Sequence, residues 1–447
     1  MHERIPFRLT NPVMVLSTRQ RLIAMAVAVV LGILCAVILD ATLWRPIQDV
    51  PGAPHTLIAN PAFDANKQVP STPFYDTPKP LPNVIPGTVL KAEPILAGTP
   101  AGIRATRIMY MSTKVDGSPV AITGAIFERT DQPPPNGRPL IGFSHGTTGL
   151  APPCGISHAP FIPGNPGNLF WTPEIEPLVQ AGYTVVGTDY QNMGAVGTPS
   201  YLVVQAEAYA VLDSVRAALQ YAPDRLNGNL IGLDGHSQGG QAALGAAEYQ
   251  QKYAPELAIR GVVSQAPGII VGLPVIIKQL VQSSSSDPTS SASRAEYLSF
   301  LTESWSKTYP GQVIPSEILT PQGLAKLPDT NSLCGTALRD QFTKPLDEYV
   351  KSTLPASFLR AANDNVPVSN IPFPLLMTQG MKDVSVVPQM NIAVFDSICR
   401  TGANAELRLY PNDDHNSLLW TARTADIDWL NDRMAGKPVA NGCQGRH

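Results

Sequence analysis

The sequence has no long run of lysine and arginine. Its 447 residues carry 32 Lys and Arg against 35 Asp and Glu, a net charge of −3. A polyanionic partner needs a concentrated basic surface, so nucleic acid is set aside. Metal and nucleotide signatures are also missing: there is no H-E-x-x-H, no paired C-x-x-C, no P-loop and no G-x-G-x-x-G behind a strand. No cofactor and no metal are expected. Internal repeats are absent, and cysteine is scarce at five residues. The length accommodates one large domain or two moderate ones, with ample core either way.

Proline is plentiful instead. There are 44, against an ordinary share of about 5 %, and twelve lie between Pro46 and Pro100. That stretch is expected to be extended, not helical. Ahead of it, Arg4, Arg8, Arg19 and Arg21 precede eighteen uncharged residues, Leu22 to Leu39. The pair reads as an export signal with its basic flank left in the cytoplasm. The run is longer than a usual secretory core and lacks a clear A-x-A exit, which favours an uncleaved membrane anchor over a cleaved peptide. Cys35 lies inside it after Leu34, a poor context for lipidation.

Export places the other four cysteines, Cys154, Cys334, Cys399 and Cys443, in an oxidising compartment, where two disulfides are expected. Three connectivities are open. Cys399 with Cys443, stapling the C-terminal tail, and Cys154 with Cys334 are preferred.

From about residue 105 the pattern becomes regular. "TRIMYMSTK" and "SPVAITGAIFE" read as a hairpin; "RPLIGFSHG", "TVVGTDY", "NLIGLDG" and "IRGVVSQAP" read as buried strands. Helical spacing runs through "EIEPLVQAGY", "YLVVQAEAYAVLDSVRAALQYA" and "QAALGAAEYQQKYA". Such alternation builds an α/β fold, a mostly parallel sheet covered on both faces. It breaks at about Gly268 and resumes at "PFPLLMTQG", followed by a helix, the strand "AELRLY" and a last helix. The intervening segment is mainly helical in pattern, with a Ser-rich loop "QSSSSDPTSSAS", and is read as a cap. The expected organisation is a leader over 1–45, an extended entry over 46–104, a core over 105–267, the cap over 268–368 and the rest of the core over 369–447.

Gly235-His236-Ser237-Gln238-Gly239 matches G-x-S-x-G, with a strand before it and a helix after it. Ser237 is the candidate nucleophile. A serine hydroxyl needs a base, and the base an acid that fixes its tautomer. Downstream, Asp383 follows the strand "LLMTQG" and His415 follows the last strand, so acid and base come in the order this architecture uses. Asp413 and Asp414 adjoin His415 and are the weaker acid candidates; Asp189 and Asp234 are read as turn supports. The oxyanion is expected to meet the backbone N–H of Gln238 and that of Thr147 in "SHGTTG", with Thr148 the alternate. His145 is expected to brace that loop.

These motifs, together with "FYDTPKPLPNVIPGTVLKAEPI", "GTDYQNMG", "GMKDVSVVP" and "YPNDDHN", resemble the secretory lipase family across nearly the whole exported portion. This family comprises the α/β-hydrolases of the fungal lipase A group and many actinobacterial exported lipases. The resemblance implies an α/β-hydrolase fold with a helical cap, a triad of Ser237, Asp383 and His415, and carboxylic ester hydrolysis. It also implies small-molecule or lipid esters as substrates. One departure stands out: "DYQNMG" carries Asn192 where the family commonly has glycine. Within the cap, Gly268 to Val281 is apolar enough to cover an acyl groove, touch lipid or form ordinary cap core. Rival readings are an exported acyltransferase, a serine peptidase of the prolyl oligopeptidase type, and a catalytically silent cell-envelope protein.

Overall fold

The computed structural model describes residues 72–270, 288–369 and 371–444. The leader with its apolar run at Leu22–Leu39, the entry segment up to residue 71 and cap residues 271–287 lie outside the described residues. Among the described residues no helix is long and apolar enough to cross a membrane.

Nine strands form one sheet: β1 (Val89–Pro94), β2 (Ile103–Thr113), β3 (Pro119–Arg129), β4 (Arg138–Ser144), β5 (Thr184–Thr188), β6 (Leu226–His236), β7 (Ile259–Gln265), β8 (Leu375–Gly380) and β9 (Ala405–Tyr410). The spatial order is β1-β2-β3-β5-β4-β6-β7-β8-β9. β1, β2 and β3 pair antiparallel, and β3 meets β5 antiparallel. From β5 to β9 every pairing is parallel. The loops that leave the parallel strands therefore emerge at one edge.

Successive residues of the central strands point to opposite faces, and both faces are apolar because both are covered. On one side Leu140, Val186, Val262 and Met377 pack with the helices α1 (Val204–Tyr221) and α2 (Gln238–Tyr253). Their neighbours Ile141, Val185, Val263 and Leu376 pack on the other side with Leu178, Trp429 and Leu430. Between β7 and β8 the chain builds a separate core, in which Phe300, Trp305 and Phe358 pack with Leu150 and Tyr201 of the sheet's loops.

Two boundaries differ from expectation. The extended entry was expected to run to residue 104, yet β1 lies wholly inside it and β2 starts at Ile103. Proline hides this strand: Pro86 precedes it and Pro94 ends it, which an edge strand tolerates because one side of its backbone has no partner. The Ser-rich loop also shrinks. From Pro288 onward it is the start of a long helix, α3 (Pro288–Thr308). A proline costs little in a first turn, where its missing N–H has no intrahelical acceptor. Farther along, the hydroxyls turn back onto the helix itself, Ser299 to the carbonyl of Ala295 at 2.8 Å and Thr302 to that of Leu298 at 2.6 Å.

Both disulfides are present. Cys399, at the end of the helix α4 (Pro388–Arg400), joins Cys443, and the tail beside it donates from Gly442 N–H to Ala405 on the sheet edge. Cys154 joins Cys334 across 180 residues. This second bond ties the cap segment to the loop after β4: Gly149 and Cys334 form a bridge, and Gly335 N–H donates to the Thr148 carbonyl at 2.7 Å. Replacing Cys154 and Cys334 together by serine is expected to cost about 2–5 kcal/mol of stability and to lower kcat more than it changes KM. The same change at Cys399 and Cys443 should lower Tm and spare kcat, which thermal melts and initial rates on the two double variants will distinguish.

Candidate active site

The turn after β6 is built by what its glycines lack. A Cβ on Gly235 would lie 2.3 Å from the Gly239 carbonyl oxygen, and one on Gly239 only 1.7 Å from the Ser144 carbonyl oxygen. Strand, turn and helix can approach this closely only without those side chains. The closure forces Ser237 to φ 59° and ψ −120°, a conformation that costs a non-glycine residue about 1–3 kcal/mol. Its backbone holds it there: Ser237 N–H donates to Gln265 at 2.9 Å, and Gly268 N–H donates to Ser237 at 2.7 Å. The Ser237 hydroxyl is left above the sheet edge.

Three loops of that edge bring their side chains together. His415 Nε2 lies 2.9 Å from Ser237 Oγ, and His415 Nδ1 lies 2.6 Å from Asp383 Oδ2. A carboxylate only accepts, so Nδ1 carries the proton and Nε2 presents a lone pair to the serine hydroxyl. Asp383 is itself fixed: its Oδ1 accepts the N–H groups of Ser385 and Val386, both at 2.8 Å, and its Oδ2 accepts Gln379 Nε2 at 3.2 Å. Asn391 of α4 in turn holds Gln379 at 2.7 Å.

The other acids are engaged elsewhere. Asp413 accepts the Thr421 hydroxyl, and Asp414 accepts the N–H groups of Asn416 and Ser417. Asp189 is buried and takes the Thr123 hydroxyl at 2.6 Å and both donors of Ser157. Asp234 pairs with buried Arg423 beneath the turn. All four have structural partners.

The sequence alone points to no role for His236. Its Nε2 lies 2.9 Å from the backbone carbonyl of His415, which can only accept, so Nε2 carries the proton. The two rings are 4.4 Å apart, and burial together with the His415 ring keeps His236 neutral. His236 thus anchors the loop that carries His415. A histidine beside the serine was the available signal, but its partner is 179 residues away.

The loop after β4 adjoins Ser237. His145 is buried, donates from Nδ1 to the Gly146 carbonyl, and burial lowers it to about 4, so it is neutral. Tyr190 clamps the His145 carbonyl at 2.9 Å. The Thr148 hydroxyl turns away to Cys154, whereas the Thr147 hydroxyl meets that of Tyr201 at 2.9 Å. Tyr201 is held by the cap helix α3: Trp305 Nε1 donates to its carbonyl, and its N–H donates to Ser304. Neither Gln238 N–H nor Thr147 N–H has an acceptor among the described residues. Asn192 takes φ 67°, the conformation a glycine supplies readily, and adds two bonds that glycine cannot make, to the Leu150 carbonyl and from Gly197 N–H. Its side chain therefore fixes the loop after β5 to the end of the loop after β4. Among the described residues no cluster of His, Cys, Asp or Glu is arranged to hold a metal.

Residues 172–282 match the family model described as secretory lipase. Over that stretch the chain is similar to secretory lipases, and its sheet has the α/β-hydrolase fold. Candida antarctica lipase A in its closed state superposes with a TM-score of 0.67 at 20% identity, over 84% of this chain and 89% of that one. A rice cell wall degrading esterase from Xanthomonas oryzae superposes at 0.62 and 19% identity, over 79% and 99%. In sequence, the chain is 24% identical to Lipase A of Arthroderma benhamiae over 87% of its own length and 84% of that protein's. It is 26% identical to a Mycobacterium tuberculosis protein named a probable inactive lipase, over 83% of each. Residues 335–435 also match the prolyl oligopeptidase family, over the stretch that holds Asp383 and His415.

Proposed function

We propose that this protein is an exported carboxylic ester hydrolase of the lipase and esterase type, working through an acyl-enzyme on Ser237. The observation that carries the reading is the continuous hydrogen-bonded chain from Ser237 through His415 to Asp383. In the first step Ser237 Oγ bonds to the ester carbonyl carbon while its proton passes to His415 Nε2, and Asp383 stabilises the resulting imidazolium. The carbonyl oxygen becomes an oxyanion that the N–H groups of Gln238 and Thr147 receive. His415 then gives its proton to the departing alcohol. Water, activated by the same ring, releases the acid and restores Ser237.

Several features support export: the leader at Leu22–Leu39, the two disulfides, and the relative named a secreted triacylglycerol lipase in Malassezia globosa, 25% identical over 83% of each chain. The leader acts as an uncleaved anchor in this reading. The apolar core between β7 and β8, connected through Tyr201 to Thr147, supports a cap over the acyl side of the site.

On p-nitrophenyl esters from acetate to palmitate, hydrolysis by the exported portion should rise from the shortest acyl chain to longer ones, as a cap that adds apolar surface requires. A maximum at acetate would remove the acyl groove from the reading. The match over 335–435 makes a serine peptidase the second reading, and faster turnover of peptide amides than of any ester would establish it. Failure of a fluorophosphonate to label the protein would leave a silent scaffold, as the name of the Mycobacterium tuberculosis relative suggests of that protein.

A further inference from the structure

Glu207 stands in the first turn of α1, fully shielded from solvent. Its Oε1 accepts two donors, the Leu202 N–H at 2.9 Å and Gln238 Nε2 at 2.7 Å. Gln238 is the residue after the nucleophile and the first residue of α2. Two oxygens of this pair, Glu207 Oε2 and Gln238 Oε1, are buried and have no partner among the described residues. Two bare oxygens on side chains already joined at their other ends are an unfavourable arrangement in a dry site. One proton relieves both.

We propose that Glu207 is a positioning residue of the ester hydrolase: it carries a proton on Oε2 that donates to Gln238 Oε1, so acid and amide close into a doubly bonded pair that holds the oxyanion donor. The inference rests on the ester hydrolase reading above. Among the described residues, the polar groups around Glu207 are compatible with its neutral form. Gln238 faces it from α2, Leu202 N–H and Tyr201 from the segment before α1, and Tyr190 from the loop after β5; burial raises both tyrosines, with a smaller contribution from Glu207. Among the described residues no cation compensates it, and burial pushes the carboxyl up to about 8 against the two hydrogen bonds that lower it. Deprotonation would set Oε2 against Gln238 Oε1. It would also place a negative charge on the partner of the residue that must stabilise a developing one.

The sign follows. Because the native carboxyl holds its proton to higher pH than an exposed one, the neutral pair is intact on the acid side and is lost as pH rises through about 8. The activity of the wild type should therefore fall above that point.

Glu207→Gln reproduces the neutral acid, since its Oε1 accepts and its Nε2 donates to Gln238. At about pH 7 its kcat should stay within about twofold of wild type, and at about pH 9.5 it should exceed wild type about tenfold, with KM nearly unchanged. Glu207→Leu should lose about tenfold in kcat throughout, with a melt checking that it folds. Rates are read on a p-nitrophenyl ester against a Ser237→Ala blank. An alkaline limb that persists in Glu207→Gln overturns the assignment. An infrared difference spectrum between about pH 7 and pH 10 gives a second readout that needs no turnover. The protonated-carboxyl band lost by the wild type should be larger than that lost by Glu207→Gln, and equal bands also overturn the assignment. If the wild type neither turns over esters nor takes a fluorophosphonate, the hydrolase reading fails, while the infrared comparison still decides the protonation of Glu207.

Discussion

Replacement of Ser237 by alanine is expected to lower ester turnover by about 10⁴- to 10⁶-fold and to abolish fluorophosphonate labelling, with the fold unchanged. The loss is large because, among the described residues, no other hydroxyl takes the same place beside His415 Nε2. Ser237 lies on the turn between β6 and α2, its backbone held by Gln265 and Gly268, and its Oγ is within 2.9 Å of the base. Alanine keeps the Cβ and the backbone bonds, so the strained turn persists without the nucleophile. A melt within a degree or two of wild type, beside rates at background, is the expected pair of results. Activity near the wild-type level would remove Ser237 from the mechanism and with it the acyl-enzyme.

Asp383→Asn should cost about 10⁴-fold in kcat. Here the structure dictates how the amide will sit. Oδ1 of the native carboxylate accepts two backbone N–H groups, from Ser385 and Val386, so the oxygen of an asparagine must occupy that side. Its NH₂ then points at His415 Nδ1, where it can only donate. The imidazole is driven to the tautomer with its proton on Nε2, and that nitrogen can no longer take the serine proton. The same NH₂ also opposes Gln379 Nε2, which Asn391 orients, so a modest loss of stability is expected as well. Rates and melts on this variant separate the two effects: kcat should fall by orders of magnitude while Tm moves by a few degrees. A variant with near-normal kcat would return the role of the acid to Asp413 or Asp414, despite their other partners.

The strand, turn and helix around Ser237 were legible because local rules write them: an apolar run, glycines where backbones touch, and helical spacing afterwards. Asp383 and His415 were legible as polar residues in the loops after β8 and β9. What escaped depends on contacts between distant segments. β1 is masked by its flanking prolines and becomes a strand only because β2 offers a partner. Serines that favour loops in isolation are helical in α3, where the packing of Phe300 and Trp305 outweighs their propensity. His236, Gln379 and Tyr201 are ordinary residues in sequence. Each gains its role from one atom supplied by another element: the His415 carbonyl, the Asp383 carboxylate and the Thr147 hydroxyl. Glu207 lies in a stretch of helical spacing, and nothing nearby in sequence announces that its partner is Gln238.

The contact between Gly239 and the Ser144 carbonyl has a consequence for how such a site can change. The spacing between the turn that carries Ser237 and the end of β4 is gauged by main chain resting on main chain, with no side chain interposed. Residues lining the rest of the cleft can be exchanged without altering that gauge. Chemistry and substrate range are thereby mechanically decoupled: the cap and loops can drift toward new esters while the reacting atoms keep their spacing.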